Sequence, residues 1–194
     1  AKGNCSTQFF EVVRGDPRDP NLERISLEEL KALHERLVPI YETMADRLFE
    51  PLDPKIRWFA KLYFLGFIRF VFGIQEGNLE GPTPWGMSCT AGKTTIVIDH
   101  DGAIRACELR PPLAHLRDVD FDLSAAAQSM EMQREIEAIG GGERANCWCT
   151  HSCWIMSSMQ FSPKTLAMRI PWSHLGPELH KVSNGLLGWL PVRG

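Results

Sequence analysis

The stretch Cys89-Thr90-Ala91-Gly92-Lys93-Thr94-Thr95-Ile96-Val97-Ile98-Asp99-His100-Asp101-Gly102-Ala103-Ile104-Arg105-Ala106-Cys107 decides how the chain is read. Thr94 to His100 is rich in β-branched residues and alternates in polarity, Asp101-Gly102 has the chemistry of a two-residue hairpin turn, and Ala103 to Cys107 returns as a second strand. Cys89 and Cys107 therefore flank one β-hairpin. Three more cysteines follow in Cys147-Trp148-Cys149-Thr150-His151-Ser152-Cys153.

Four thiolates gathered by a hairpin and a loop make a cage for zinc or for an iron–sulfur cluster. Structural zinc takes its ligands in pairs two to four residues apart, so that four sulfurs converge on one small ion. Neither Cys89 nor Cys107 belongs to such a pair, which is wrong for a zinc ribbon and suits a four-iron cluster held at separate corners. Cys149 and Cys153 stand one helical turn apart and can share a face, whereas Cys147 and Cys149 both point inward only if the loop bends suitably. The spacing thus favours Cys149 and Cys153 over Cys147, which is expected to be a neighbour or spare; that these two join Cys89 and Cys107 as the ligands is what a family resemblance implies.

Cys89, Gly102 and Cys107, within Cys89-Thr90-Ala91-Gly92 and Ile98-Asp99-His100-Asp101-Gly102-Ala103-Ile104-Arg105-Ala106-Cys107-Glu108, resemble the opening motif of the SPASM or twitch extension of radical S-adenosylmethionine (SAM) enzymes. Cys149-Thr150-His151-Ser152-Cys153 resembles the later cysteine pair of that extension. The resemblance covers roughly Trp85 to Trp154, and its single late group is more similar to the one-cluster twitch form. It implies one auxiliary [4Fe-4S] cluster that takes up an electron or positions substrate, and, in the full-length enzyme, SAM as the source of a 5′-deoxyadenosyl radical. It further implies a small-molecule or peptide substrate and a reductant protein as partners.

Outward from the hairpin, Gly77 to Gly86 is rich in glycine and proline and reads as a boundary. Before it, Gln8 to Val13 has the pattern of a buried parallel strand, Gly15 to Asn21 is a loop, and Ser26 with Glu29 opens a helix through Leu48 that contains Pro39. Asp53-Pro54 opens a second helix, roughly to Phe72, expected to be buried between layers because its apolar residues face nearly every direction. This first segment looks like the last strand and helix of a partial TIM-like barrel. After the hairpin, Asp122 to Ile139 is helical in pattern and ends at Gly140-Gly141-Gly142. The fold expected is α/β, or α+β as a fragment, in three parts: 1–80 as the barrel end, 85–160 as the iron–sulfur domain and 161–194 as a tail.

Composition narrows the function classes. The 21 Lys and Arg against 24 Asp and Glu give a net charge of −3, without the basic excess that nucleic-acid binding needs. Lys61 and Arg69 interrupt the most apolar stretch, Trp58 to Phe72, so a membrane span is expected to be excluded. Clustered cysteines with no export signal suit metal ligands in the cytoplasm better than a disulfide framework. Cys5 is expected to be a small buried hydrophobe and Arg14 a loop residue; His151 is expected beside the ligands, and Trp148 and Trp154 are expected either to cover the cluster or simply to fill the core.

The Cys-x-x-x-Cys-x-x-Cys motif that binds SAM's iron is absent from the 194 residues, so the chain is expected to be a piece of a longer enzyme that does not cleave SAM by itself. Alternatives are a non-catalytic iron–sulfur electron-transfer module and a zinc-stabilised interaction domain. On this reading, Cys147→Ala retains a cluster after anaerobic reconstitution while Cys149→Ala and Cys153→Ala lose or weaken it, as measured by bound iron.

Overall fold

The computed structural model describes residues 25–79, 81, 83–140 and 149–177. The Gln8–Val13 strand, the loop after it, Cys5, Arg14, Cys147 and Trp148 lie outside the described residues. The chain divides into two compact units, one containing the described residues 25–79 with 163–177 and the other residues 81–162.

In the first unit, helix α1 (Leu27–Phe49) begins at a reciprocal cap. The Glu29 backbone N–H donates to Ser26 Oγ at 3.2 Å, and the Ser26 N–H donates to the Glu29 carboxylate at 2.9 Å. The helix continues through Pro39. Helix α2 (Pro54–Leu79) runs seven residues beyond Phe72, and the short connection 50–53 returns it antiparallel to α1. Leu37, Tyr41 and Ala45 of α1 bury against Leu65 and Ile68 of α2, with Phe49, Phe64, Phe67 and Phe72 around them.

The α2 helix is not buried on all sides. Ile56, Trp58 and Phe59 are 54–61% exposed, because only the face turned to α1 and to a third helix, α6 (163–177), is covered. At 26 residues α2 is also long and apolar enough, by length and composition, to cross a membrane, with 44% of its most apolar window buried. The interruption by Lys61 and Arg69 therefore does not remove it from that class. A π-turn at Thr165–Arg169 lies within α6, and α6 approaches α2 at Gly66. A Cβ on Gly66 would stand 2.2 Å from the Ile170 carbonyl oxygen.

The second unit is built on an antiparallel sheet of β1 (Val97–Ile98), β2 (Ala103–Arg105) and β3 (Ala114–His115). Val97 pairs with Arg105 and Ile98 with Ile104, while Ala103 pairs with His115 and Ile104 with Ala114. The hairpin is present, but its strands are shorter than the sequence pattern suggests and its loop has three residues, His100-Asp101-Gly102. The Gly102 N–H donates to the Asp99 carbonyl at 2.9 Å and the Asp99 N–H to the Ala103 carbonyl at 2.8 Å. Gly102 sits at φ +94°, and a Cβ there would meet the His115 ring at 2.9 Å.

The helix expected over Asp122–Ile139 is two helices, α3 (Leu123–Gln128) and α4 (Met130–Ile139). Ser129 adopts an extended backbone, and its hydroxyl accepts the Met132 N–H at 3.1 Å, so it closes one helix and caps the next. Helix α5 (Ser152–Gln160) completes the unit. Ile104, Ala106, Met132, Ile139, Ile155 and Met159 form its fully buried interior. Gly92, at φ +75°, lets α4 approach the hairpin: a Cβ would lie 2.7 Å from Ile136 Cγ1.

The glycines differ sharply in what they tolerate. Gly66→Ala and Gly92→Ala are each expected to lower unfolding free energy by about 1–3 kcal/mol through forced repacking, with Gly92→Ala adding left-handed backbone strain. Gly73→Ala, whose Cβ meets nothing within 4 Å on α2, is expected to raise stability by about 0.5–1 kcal/mol. Urea titration of the three variants checks this order.

Candidate metal centre

The hairpin places Cys89 and Cys107 through two tight turns. After Cys89, the Lys93 and Thr94 N–H groups return to the Thr90 carbonyl at 3.0 and 3.1 Å, and the Gly92 N–H donates to the Thr95 carbonyl at 2.9 Å. The Thr90 N–H donates to Ser158 Oγ at 3.1 Å, tying this turn to α5. Cys107 lies two residues beyond β2, where the Arg110 N–H donates to its carbonyl at 3.0 Å. Arg105 clamps the hairpin base, donating to the Asp99 carboxylate and to the Arg110 carbonyl, each at 2.6 Å. Cys149 precedes α5, and its carbonyl accepts the Trp85 indole N–H at 3.1 Å.

Cys89, Cys107 and Cys149 are all buried, and together with Trp85, Ala91, Leu109, Ile139 and Trp154 they line one apolar cavity. Cys153 lies in the first turn of α5, is exposed, and is not among the lining residues. The structure thus brings together three of the four cysteines expected as ligands.

Burial governs the thiols. It pushes Cys107 up to about 12, with the Glu108 carboxylate and Cys149 acting in the same direction against the Leu109 N–H, which donates to Cys107 Sγ at 3.5 Å. Burial also raises Cys89, opposed by the Ala91 backbone, the Ser158 hydroxyl, Lys93 and the Thr90 backbone. Thiols in this setting remain protonated until a cation supplies the missing positive charge.

Glu108 is a feature that sequence reasoning missed. Its carboxylate accepts the Trp154 indole N–H at 2.7 Å and pairs with His151 Nε2, and the Cys107 thiol lies 3.6 Å away. Burial pushes the Glu108 carboxyl up, but its own backbone N–H, Trp154, His151 and Cys107 together hold it below the ordinary carboxylate range. The pair joins the turn after Cys107 to the start of α5. Its signals in the sequence are position alone: Glu108 follows Cys107, and His151 lies between two cysteines. Trp154, 5% exposed, both walls the cavity and holds this carboxylate.

The donor set fits a soft metal, since among the described residues the ligating side chains that line the cavity are thiols, and two indoles wall it off. Among the described residues no three His, Cys, Asp or Glu side chains are grouped tightly enough for one metal ion. Three thiols line one small cavity and Cys153 stands outside it. No protein-family model matches the chain, and neither a curated protein nor a solved structure is a match.

Glu108 gives the unit a pH dependence of defined sign. Its lowered folded-state pKa contributes stability that is present above the ordinary glutamate range and is lost as pH falls through the folded value. The urea midpoint of Glu108→Gln is therefore expected to lie below that of the parent at neutral pH and to converge with it below about pH 4. A constant gap across that range would show that the carboxylate's charge plays no part.

Proposed function

We propose that residues 81–162 hold one auxiliary [4Fe-4S] cluster and that the chain is the C-terminal part of a cytoplasmic radical SAM enzyme acting on a small molecule or peptide. The observation that carries this reading is the convergence of Cys89, Cys107 and Cys149 on one apolar cavity walled by Trp85 and Trp154. When bound, such a cluster supplies a one-electron site or a point of substrate attachment. In this reading Cys89, Cys107 and Cys149 hold iron, and the two indoles keep water from the sulfurs. The Leu109 N–H and the Ser158 hydroxyl donate toward sulfur and so tune its basicity. The Glu108–His151 pair keeps the α5 end of the site against the hairpin end.

The absence of Cys-x-x-x-Cys-x-x-Cys from the 194 residues favours a second reading, an iron–sulfur electron-transfer module without SAM chemistry of its own. Coding sequence upstream of Ala1 separates the two.

The chain reconstituted anaerobically is expected to bind about four iron and four sulfide per chain, to turn brown, and to bleach in air. One zinc per chain with no iron uptake would overturn the cluster. With dithionite and SAM the same preparation is expected to form no 5′-deoxyadenosine; formation of it would overturn the view that the SAM-cleaving iron lies elsewhere.

A further inference from the structure

His34 of α1 is 3% exposed, and only one of its two ring nitrogens is satisfied. Nδ1 stands 2.6 Å from the Glu76 carboxylate of α2, while the ring lies on Phe72 with planes 4° from parallel. In the neutral imidazole a carboxylate at that place takes the Nδ1 hydrogen and leaves Nε2 an acceptor with a lone pair. Among the described residues nothing donates to Nε2. A buried acceptor in this state costs free energy until a donor reaches it, and the stacking and the Glu76 contact together hold the ring from turning away.

The same side chain lines a groove of about 300 Å³ walled by α1, α2 and the end of α6. Lys31 and Glu35 border it from α1, Arg69 and Glu76 from α2, and Ser173 from α6. The groove thus carries two cations and two carboxylates around a ring nitrogen that accepts. Gly73 keeps the α2 wall open, since a Cβ there would meet nothing within 4 Å. All of these residues belong to one compact unit, and none lines the cysteine cavity.

We propose that this groove binds a free amino acid, a small molecule with one primary ammonium and one carboxylate. Its ammonium supplies the N–H that Nε2 lacks and faces Glu76 and Glu35, and its carboxylate faces Arg69 and Lys31. A plain anion would set a second acceptor against Nε2, and a plain amine would place its charge against Lys31 and Arg69 with nothing to offset it. The volume stands at the small end of ligand sites, which fits a single amino acid better than a peptide. Occupancy needs no cluster in the cysteine cavity.

The test titrates the full chain at neutral pH with the common α-amino acids one at a time, and with butylamine, butyrate and inorganic phosphate. The His34 nitrogen resonances are followed by NMR and assigned through their loss in His34→Gln. The expected result is an amino acid that binds with a Kd below about 1 mM and shifts the Nε2 resonance toward that of a hydrogen-bonded nitrogen, with the three comparison compounds binding at least tenfold more weakly. Gly73→Leu, which fills the open wall, and Arg69→Gln, which removes a carboxylate partner, are each expected to weaken that amino acid at least tenfold. No amino acid binding, equal binding of butylamine, butyrate or phosphate, an Nε2 resonance unmoved on binding, or an affinity indifferent to both variants would each overturn the proposal. So would an Nε2 already hydrogen-bonded in the ligand-free chain, the sign of a resident water or of the chain's own atoms in the groove.

Discussion

Removing sulfur from water is the constraint on which the cysteine-bearing unit depends. Three thiols are packed against two tryptophans and a wall of aliphatic side chains, where neither a thiolate nor a free cation is stable alone. The surrounding features answer that constraint. Gly92 lets α4 close over the hairpin, the Thr90 turn is tied to α5 through Ser157 and Ser158, and Trp85 and Trp154 spend their indole N–H groups on the Cys149 carbonyl and on Glu108. The two indole N–H groups are thereby satisfied away from the sulfurs, and the cavity lining is apolar apart from the thiols.

The first unit is organised by aromatic packing between two long helices. His34 stacks flat on Phe72 with centroids 3.8 Å apart while its Nδ1 lies 2.6 Å from the Glu76 carboxylate, so a polar ring serves as part of an apolar layer. Lys61 with Asp46, at 2.5 Å, adds an ion pair at the edge of that interface. Such partly exposed pairs fix orientation more than they add stability.

Much of this was legible in the sequence, and the failures have identifiable causes. The capping box at Ser26 and Glu29, the Pro54 helix start and the hairpin itself were readable because each rests on a few local atoms. The hairpin loop was misjudged by one residue because Asp-Gly satisfies a two-residue turn and also the end of a three-residue loop with a left-handed glycine. The third strand was hidden by its brevity and by Pro111 and Pro112 just before it. Ser129 gave no warning, since a serine is tolerated within a helical pattern until its side chain caps a new helix. Composition showed how apolar α2 is but not which faces other elements would cover. At the site, the sequence pointed to Cys89, Cys107, Cys149 and Cys153, of which Cys153 stands outside the cavity because the first turn of α5 turns it to solvent. Glu108, by contrast, looked like a solvated charge because its partners, His151 and Trp154, lie more than forty residues away.

The Trp85 to Cys149 hydrogen bond spans 64 residues of chain. The sheet and the α3–α4 pair form from contacts much closer in sequence, and long loops close only after local structure has reduced what remains to be ordered. On these grounds the cavity is expected to close late in the assembly of its unit, with one wall supplied by the hairpin and the other by the segment from Cys149 onward. Were the cavity to take up the proposed cluster, filling it would coincide with that late step of folding.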